Sequence, residues 1–180
     1  RPDDLPDRIE HCQLIDPPDL DKMRSSGAVA SMQPCHLYQD REILGERWGK
    51  RSGGAFALRS IDDAGIPIIL GTDAPIECVD PWCDLDAAVQ RLDREGLGSI
   101  FGPQQRVTFE TAFSWRTAGA AKGNFLPEGW GTLEPGTAAD LQILAANQPQ
   151  QIRSIDEASL LDVYSLGAWR LGRFGAADES

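Results

Sequence analysis

The chain has 180 residues, enough for one domain or for part of a larger fold, and its 41% hydrophobic content can build a core at that length. Seventeen Lys and Arg against 28 Asp and Glu leave a formal net charge of −11 with no compensating basic run. That balance argues against nucleic acid or an anionic membrane surface as a partner, because both are bound through cationic contacts.

No stretch approaches the roughly 18 apolar residues of a membrane span. Neither an initiator Met nor a charged-then-apolar leader opens the chain at Arg1, so a processed product or a portion of a longer sequence is expected. Residues 1–7 are polar and proline-bearing, an irregular lead-in. Residues 8–14 predict a strand. Asp16 followed by Pro17 and Pro18 predicts a helix start, continued by Leu20 and Met23 and stopped at Gly27. Residues 28–33 predict a second, buried strand ended by Pro34. A mixed segment follows, with residues 48–54 as a loop. The spacing of Phe56, Leu58 and Ile61 predicts a helix over 55–64, with Gly65 just past its end. The apolar run 66–70 then predicts a third strand reaching Asp73. Repeated strand–helix–strand units imply an α/β fold with a parallel sheet or barrel. Three strands cannot close a barrel, so either the sheet is open or five more strands lie upstream.

Residues 74–83 are rich in Pro, Asp and Trp, as a substrate-facing loop is. An amphipathic helix is predicted over 84–95, with Leu85, Ala88, Val89 and Leu92 on one side. Another opens at Thr108 and runs through Ala112, Trp115, Ala118 and Ala121 to Gly123. Gly129, Gly131, Pro135 and Gly136 mark turns before strands predicted at 139–144 and 163–171. The four cysteines, Cys12, Cys35, Cys78 and Cys83, lack the spacing of a structural zinc knuckle. A Cys78–Cys83 disulfide is conceivable, but the reading adopted is four free thiols in a reducing cytoplasm.

Two segments end in metal-binding side chains, Arg8-Ile9-Glu10-His11 and Ile68-Ile69-Leu70-Gly71-Thr72-Asp73. A buried strand that delivers a carboxylate at its carboxyl end is how a βα barrel builds an active site. A His delivered the same way on a neighbouring strand makes half of a metal site. The plainer alternatives are a satisfied core histidine at His11 and a carboxylate at Asp73 that caps a helix opening at Pro75. His36 reads either as a substrate contact or as a solvated loop residue. Glu77 and Trp82 either line the mouth of the site or are solvated and packed, respectively. Arg59 and the Asp62-Asp63 pair read as charges on a helix surface. No Ser or Cys sits in a Gly-flanked elbow, which leaves a serine or cysteine hydrolase without support.

Four motifs occur in order: Arg8-Ile9-Glu10-His11, Ser31-Met32-Gln33-Pro34-Cys35-His36, Leu70-Gly71-Thr72-Asp73-Ala74-Pro75 and Leu133-Glu134-Pro135-Gly136-Thr137-Ala138-Ala139-Asp140-Leu141. The set resembles the carboxyl-terminal part of an amidohydrolase-superfamily enzyme. It is most similar to the YtcJ-like metal-dependent hydrolases, which include N-substituted formamide deformylases. The likeness runs from Arg8 to about Arg173. It implies a partial (β/α)8 TIM barrel over residues 1–128, made of the last three strands and their helices. A segment of a small β-sandwich over 129–174 and a disordered tail at 175–180 would follow.

On that mapping His11 ends the sixth barrel strand as a metal ligand. Asp73 ends the eighth, where it binds metal or water and acts as general acid and base. Gln33 and His36 follow the seventh, where the family presents groups to the substrate, and Glu77 is expected to join them. The implied cofactor is a divalent metal, zinc before others, as one ion or two. The implied reaction is hydrolysis of C–N bonds in a small amide-like substrate. Two departures stand out. Cys12 replaces a small Ala, and the family's first-, fourth- and fifth-strand ligands have no counterpart within the chain. The chain is therefore expected to be inactive alone and to need the rest of the barrel, from a preceding segment or a second chain. Its unpaired sheet edges leave a homo-oligomer open. The rival readings are a non-catalytic βα remnant that has lost its metal, and an open sheet in which His11 and Asp73 never meet.

Overall fold

The computed structural model describes residues 7–92, 96, 100–145, 159–165 and 168–172. Three short strands, β1 (Arg8–Glu10), β2 (Val29–Met32) and β3 (Ile68–Leu70), form a parallel sheet in the order β1-β2-β3. Arg8 pairs with Val29, and Ala30 and Met32 pair with Ile68 and Leu70. Helix α1 (Pro17–Ser26) crosses from β1 to β2. Its two prolines open the first turn, and Gly27, at φ 71, closes the last by donating its N–H to Arg24 O. Asp16 precedes the helix in an extended conformation but makes no side-chain cap. Its carboxylate is instead taken by Arg51, at 3.0 and 3.1 Å.

β2 and β3 are buried at every residue, as parallel strands covered on both faces must be. Ala30, Met32, Ile68 and Leu70 project to one face and pack with Met23 of α1, Leu58 and Ile61 of α3 (Leu58–Asp63), Trp82, Leu85 and Ala88 of α4 (Pro81–Gln90), and Trp115 of α5 (Phe109–Arg116). On the other face, α6 (Ala118–Gly123) lies against Val29 and Ile69. A Cβ on Gly123 would collide with Ile69 Cγ2, so only glycine admits this contact.

Several elements depart from their sequence-based expectations. β1 stops at Glu10 instead of Leu14, because His11 and Cys12 take φ 66 and 44, which no strand accommodates. Leu14 rejoins the fold through an isolated antiparallel bridge to Ala55. The segment read as mixed contains α2 (Leu37–Trp48) followed by a 3-10 stretch, Gly49–Gly54. The helix expected over 55–64 is only Leu58–Asp63, since Ala55 is bridged and Phe56 is left-handed at φ 50. The helix expected from residue 84 begins three residues earlier, where Asp80 accepts a hydrogen bond from Trp82 N at 3.0 Å with Pro81 in the first turn. It ends at Gln90, and residues 93–95 of the expected span lie outside the described residues. The long helix from Thr108 breaks into α5 and α6 at Thr117. Gly131, at φ 75, packs onto that break so closely that a Cβ would come within 2.7 Å of Thr117 O.

A second sheet is antiparallel, with β4 (Leu141–Ala145), β5 (Ser159–Ser165) and β6 (Ala168–Gly172) in that order. The single strand expected over 163–171 is therefore a hairpin of two strands. The tail at 175–180 lies outside the described residues. Among the described residues, no helix is long and apolar enough to cross a membrane.

Candidate metal centre

Each parallel strand hands the chain to a tight turn at its carboxyl end, and three side chains from these turns converge. One ligand atom each of His11, His36 and Asp73 lies within 4.8 Å of the others. His36 Nε2 is 3.6 Å from Asp73 Oδ2, and the two imidazoles stand edge to face with centroids 5.7 Å apart. His11 and Asp73 therefore meet, contrary to the alternative in which they stay apart. The sequence leaves His36 open between a substrate contact and a solvated loop residue. Its position beside the ligand atoms of His11 and Asp73 makes it a third candidate ligand.

Local backbone geometry aims these groups. After β1, Cys12 N donates to Glu10 O at 2.9 Å, and Gln13 O accepts from Phe56 N at 2.7 Å, so the chain doubles back with His11 at the bend. Gln13 Nε2 also donates to Asp40 Oδ2 at 2.6 Å. After β2, Pro34 opens a 3-10 turn, Pro34–His36, in which His36 N donates to Gln33 O at 3.1 Å. After β3, Asp73 takes φ 56 and its carbonyl accepts from Ile76 N at 2.8 Å. No helix opens at Pro75, so Asp73 is not a helix cap. Left-handed conformations at His11, Cys12 and Asp73 cost about 1–3 kcal/mol each for residues other than glycine, and such strain gathers where function demands it.

The donor set fits a divalent cation. Two imidazole nitrogens and a carboxylate oxygen are ligands of a borderline cation such as zinc. His36 Nε2 is buried without a hydrogen-bond partner, which a protein interior rarely tolerates unless something else binds there. Glu10, beside His11, is a carboxylate that burial pushes up. Hydrogen bonds from Ser31 and Arg8, and the Arg8 charge, outweigh that effect and hold it below its usual range.

Of the other expected site residues, Gln33 is buried with Nε2 donating weakly to Ser31 O at 3.4 Å, while its Oε1 accepts no hydrogen bond. Glu77 is buried, and its charge acts on Cys35 and Asp84, on the protein side of the turns. Trp82 is a core residue stacked on Phe109 with centroids 6.2 Å apart. Arg59 is a charge on the helix surface, where it pairs with Asp63 at 2.9 Å. The four cysteines are free, with Cys78 Sγ and Cys83 Sγ in contact at 2.8 Å. Burial, followed by the charge of Asp84, pushes the Cys35 thiol up, so it stays neutral and offers no nucleophile.

Sequence reasoning did not single out Asp84 or Arg116, which sit directly behind the turns. Asp84 Oδ1 accepts from Cys35 N at 3.2 Å and its Oδ2 from Arg116 Nη1 at 3.1 Å. Burial pushes Asp84 up to about 6 against the opposing pull of the Cys35 hydrogen bonds and Arg116. The available signal is an acid in a helical stretch whose neighbours Trp82, Cys83, Leu85, Ala87 and Ala88 are all apolar, since a charge in such company needs a partner.

Comparison with known proteins adds an independent line. The Amidohydrolase family model matches residues 1–174. The chain is 29% identical over 159 residues to Protein LONG AFTER FAR-RED 3 of Arabidopsis thaliana, covering 87% of this chain and 27% of that protein. It is 28% identical over 143 residues to the YtcJ protein of Bacillus subtilis (strain 168), covering 78% of this chain and 27% of that one. The crystal structure of a metal-dependent hydrolase from Pyrococcus horikoshii OT3 superposes with a TM-score of 0.65 at 28% identity, over 73% of this chain and 27% of that one. The chain thus spans about a quarter of the length of these relatives. With nearly all of its residues matched by the family, the chain belongs to the amidohydrolase family, as a YtcJ-like member of that superfamily.

Proposed function

We propose that this chain forms the carboxyl-terminal part of a metal-dependent hydrolase that cleaves C–N bonds in small amide- or formamide-type molecules. In this reading residues 1–128 provide the last three strands of a (β/α)8 barrel and residues 129–174 a segment of its β-sandwich. The remaining strands come from a preceding segment or a second chain. The observation that carries the reading is the meeting of His11, His36 and Asp73 within 4.8 Å at the carboxyl ends of parallel strands.

A divalent cation, zinc for this donor set, supplies Lewis-acid polarisation of a carbonyl and acidification of a water when bound. His11 and His36 offer neutral imidazole nitrogens to it, with His36 a third ligand in place of a substrate contact. Asp73 takes a proton from the attacking water and returns it to the leaving amine. Its exposure on the open side of the turns leaves it within reach of solvent and substrate. Gln33 Oε1, buried and accepting no hydrogen bond, is positioned to accept one from a substrate N–H. Glu77 serves as a wall of the site behind Cys35.

Cobalt(II) is the direct probe, since its visible absorption reports ligand number and type. The expected result is one ion per chain, competed by zinc, with affinity lost in His11→Ala, His36→Ala and Asp73→Ala. A wild-type chain that gives no cobalt spectrum would support the non-catalytic remnant instead.

A further inference from the structure

The two turns that carry His36 and Asp73 lie beyond the hydrogen-bonded part of the sheet. The β2–β3 ladder ends where Gly71 N donates to Met32 O at 3.0 Å. Around that point two side chains bridge the two segments. Asp84 Oδ1 accepts from Cys35 N, the residue before His36, at 3.2 Å. Asp84 Oδ2 accepts from Arg116 Nη1 at 3.1 Å, and the same nitrogen donates to Leu70 O at 3.2 Å, three residues before Asp73. Cys35 Sγ adds a long contact to Thr72 O at 3.8 Å. The Asp84 side chain is fully buried and that of Arg116 largely so, at 0% and 22% exposure.

We propose that Asp84 and Arg116 are positioning residues that set the distance between His36 and Asp73 and thereby tune the metal centre, a role that rests on the metal reading above. A buried ion pair is a poor source of stability, because desolvating both charges cancels most of their attraction. Here Asp84 also accepts from the main chain of the His36 turn, and Arg116 also donates to the last residue of β3, from which the Asp73 turn departs. α4 and α5, which carry Asp84 and Arg116, are anchored in the core through Trp82, Leu85, Ala88 and Trp115. The pair therefore ties the helical layer to the His36 turn, which the ladder no longer holds, and to the strand end that launches the Asp73 turn. Metal sites depend on such outer contacts for ligand geometry, and losing one costs about 10–100-fold in affinity.

The test uses Asp84→Leu/Arg116→Met, which removes both charges together and is expected to keep the melting temperature at or above that of the wild type. Cobalt affinity should fall about tenfold or more. The chain has two histidines, so selective labelling yields two imidazoles, and the NOE between their ring protons reports the His11–His36 approach without any metal. That NOE should weaken in the double variant. It should persist in Arg116→Lys if the donor to Leu70 O is restored. A double variant that folds, keeps the NOE and binds cobalt within twofold of wild type overturns the positioning role. If the wild type binds no cobalt, the metal reading falls, while the NOE comparison still decides whether the pair sets the geometry. Should the double variant unfold, Asp84→Asn read by the same NOE decides in its place, an unchanged NOE counting against the role.

Discussion

The two edges of the parallel sheet carry one candidate ligand each, and they are built differently. β3 is apolar and desolvated, with Ile68, Ile69 and Leu70 at 3%, 4% and 6% exposure. β1 is exposed at Arg8, Ile9 and Glu10, and Ile9 shows 43% of its surface. Asp73 is therefore anchored by buried apolar area. His11 hangs on polar contacts: Arg8 to Asn124 at 2.6 Å, Arg8 to Glu10 at 2.7 Å, and Gln13 to Asp40 at 2.6 Å. Apolar burial of a large side chain is worth about 1.5–3 kcal/mol, whereas exposed polar pairs contribute on the order of 0–1 kcal/mol each. The candidate metal centre thus joins a rigid wall to a softer one, and opening should begin at β1.

The largest expected effect contrasts the walls directly. Leu70→Ala should cost about 2–5 kcal/mol, and Ile9→Ala less than about 1 kcal/mol, in urea denaturation. Equal costs would mean that β1 is covered as thoroughly as β3, and the contrast would be lost.

The next effect is a pH dependence that belongs to the rigid wall. The folded-state value of Asp84, about 6, lies above its ordinary 3.8 because burial opposes ionisation. The stabilising contribution of the neutral carboxyl is therefore fully present below about 4 and is lost as pH rises through about 6. The difference amounts to roughly 3 kcal/mol at about 1.4 kcal/mol for each pH unit. The groups facing it are Arg116, Cys35 and Glu77. Asp84→Asn should flatten the stability profile between pH 4 and 6 relative to the wild type. A wild-type profile with the same slope as the variant there would show that Asp84 ionises normally.

The same contrast explains what the sequence revealed. The β3 strand was legible because both of its faces are buried, which writes an unbroken apolar run at 66–70 ending in a carboxylate. The pattern overstates β1, since Leu14 and Ile15 continue an apolar run while the left-handed backbone at His11 and Cys12 leaves no trace in residue type. Helix periodicity misled in the same way at Phe56, whose position fits the spacing of Leu58 and Ile61 although its backbone is not helical. It misled again at Thr117, where the apolar spacing continues across a break. His11 and Asp73 are legible as the ends of two strand-like segments. The resemblance gives His36 to the substrate, because only the 3-10 turn after Pro34 brings it beside His11 and Asp73. Asp84 and Arg116 were invisible for another reason. Their partners are backbone groups and each other, 32 residues apart, and local spacing does not encode that meeting.

A smaller effect isolates the strain at the soft wall. His11→Gly should raise stability by about 1 kcal/mol, because glycine adopts φ 66 without the penalty that a Cβ imposes. His11→Ala keeps the Cβ and should show no such gain. Both variants should lose cobalt affinity equally, since both lack the imidazole. If glycine and alanine proved equally stable, the left-handed turn would not be storing strain.

The smallest effect is expected at the tie that holds β1 to the end of α6. Arg8 Nη1 donates to Asn124 Oδ1 across 116 residues of sequence, but both groups are exposed. Asn124→Ala should change global stability by less than about 1 kcal/mol. Its effect should instead be local, because the β1–β2 ladder spans only three residue pairs, Arg8 to Glu10. Hydrogen exchange of the ladder amides should quicken several-fold, while those of β3 stay at the rate set by global unfolding. Uniform acceleration across both strands would mean that the sheet opens as one unit, and that its two edges are mechanically equivalent despite their different burial.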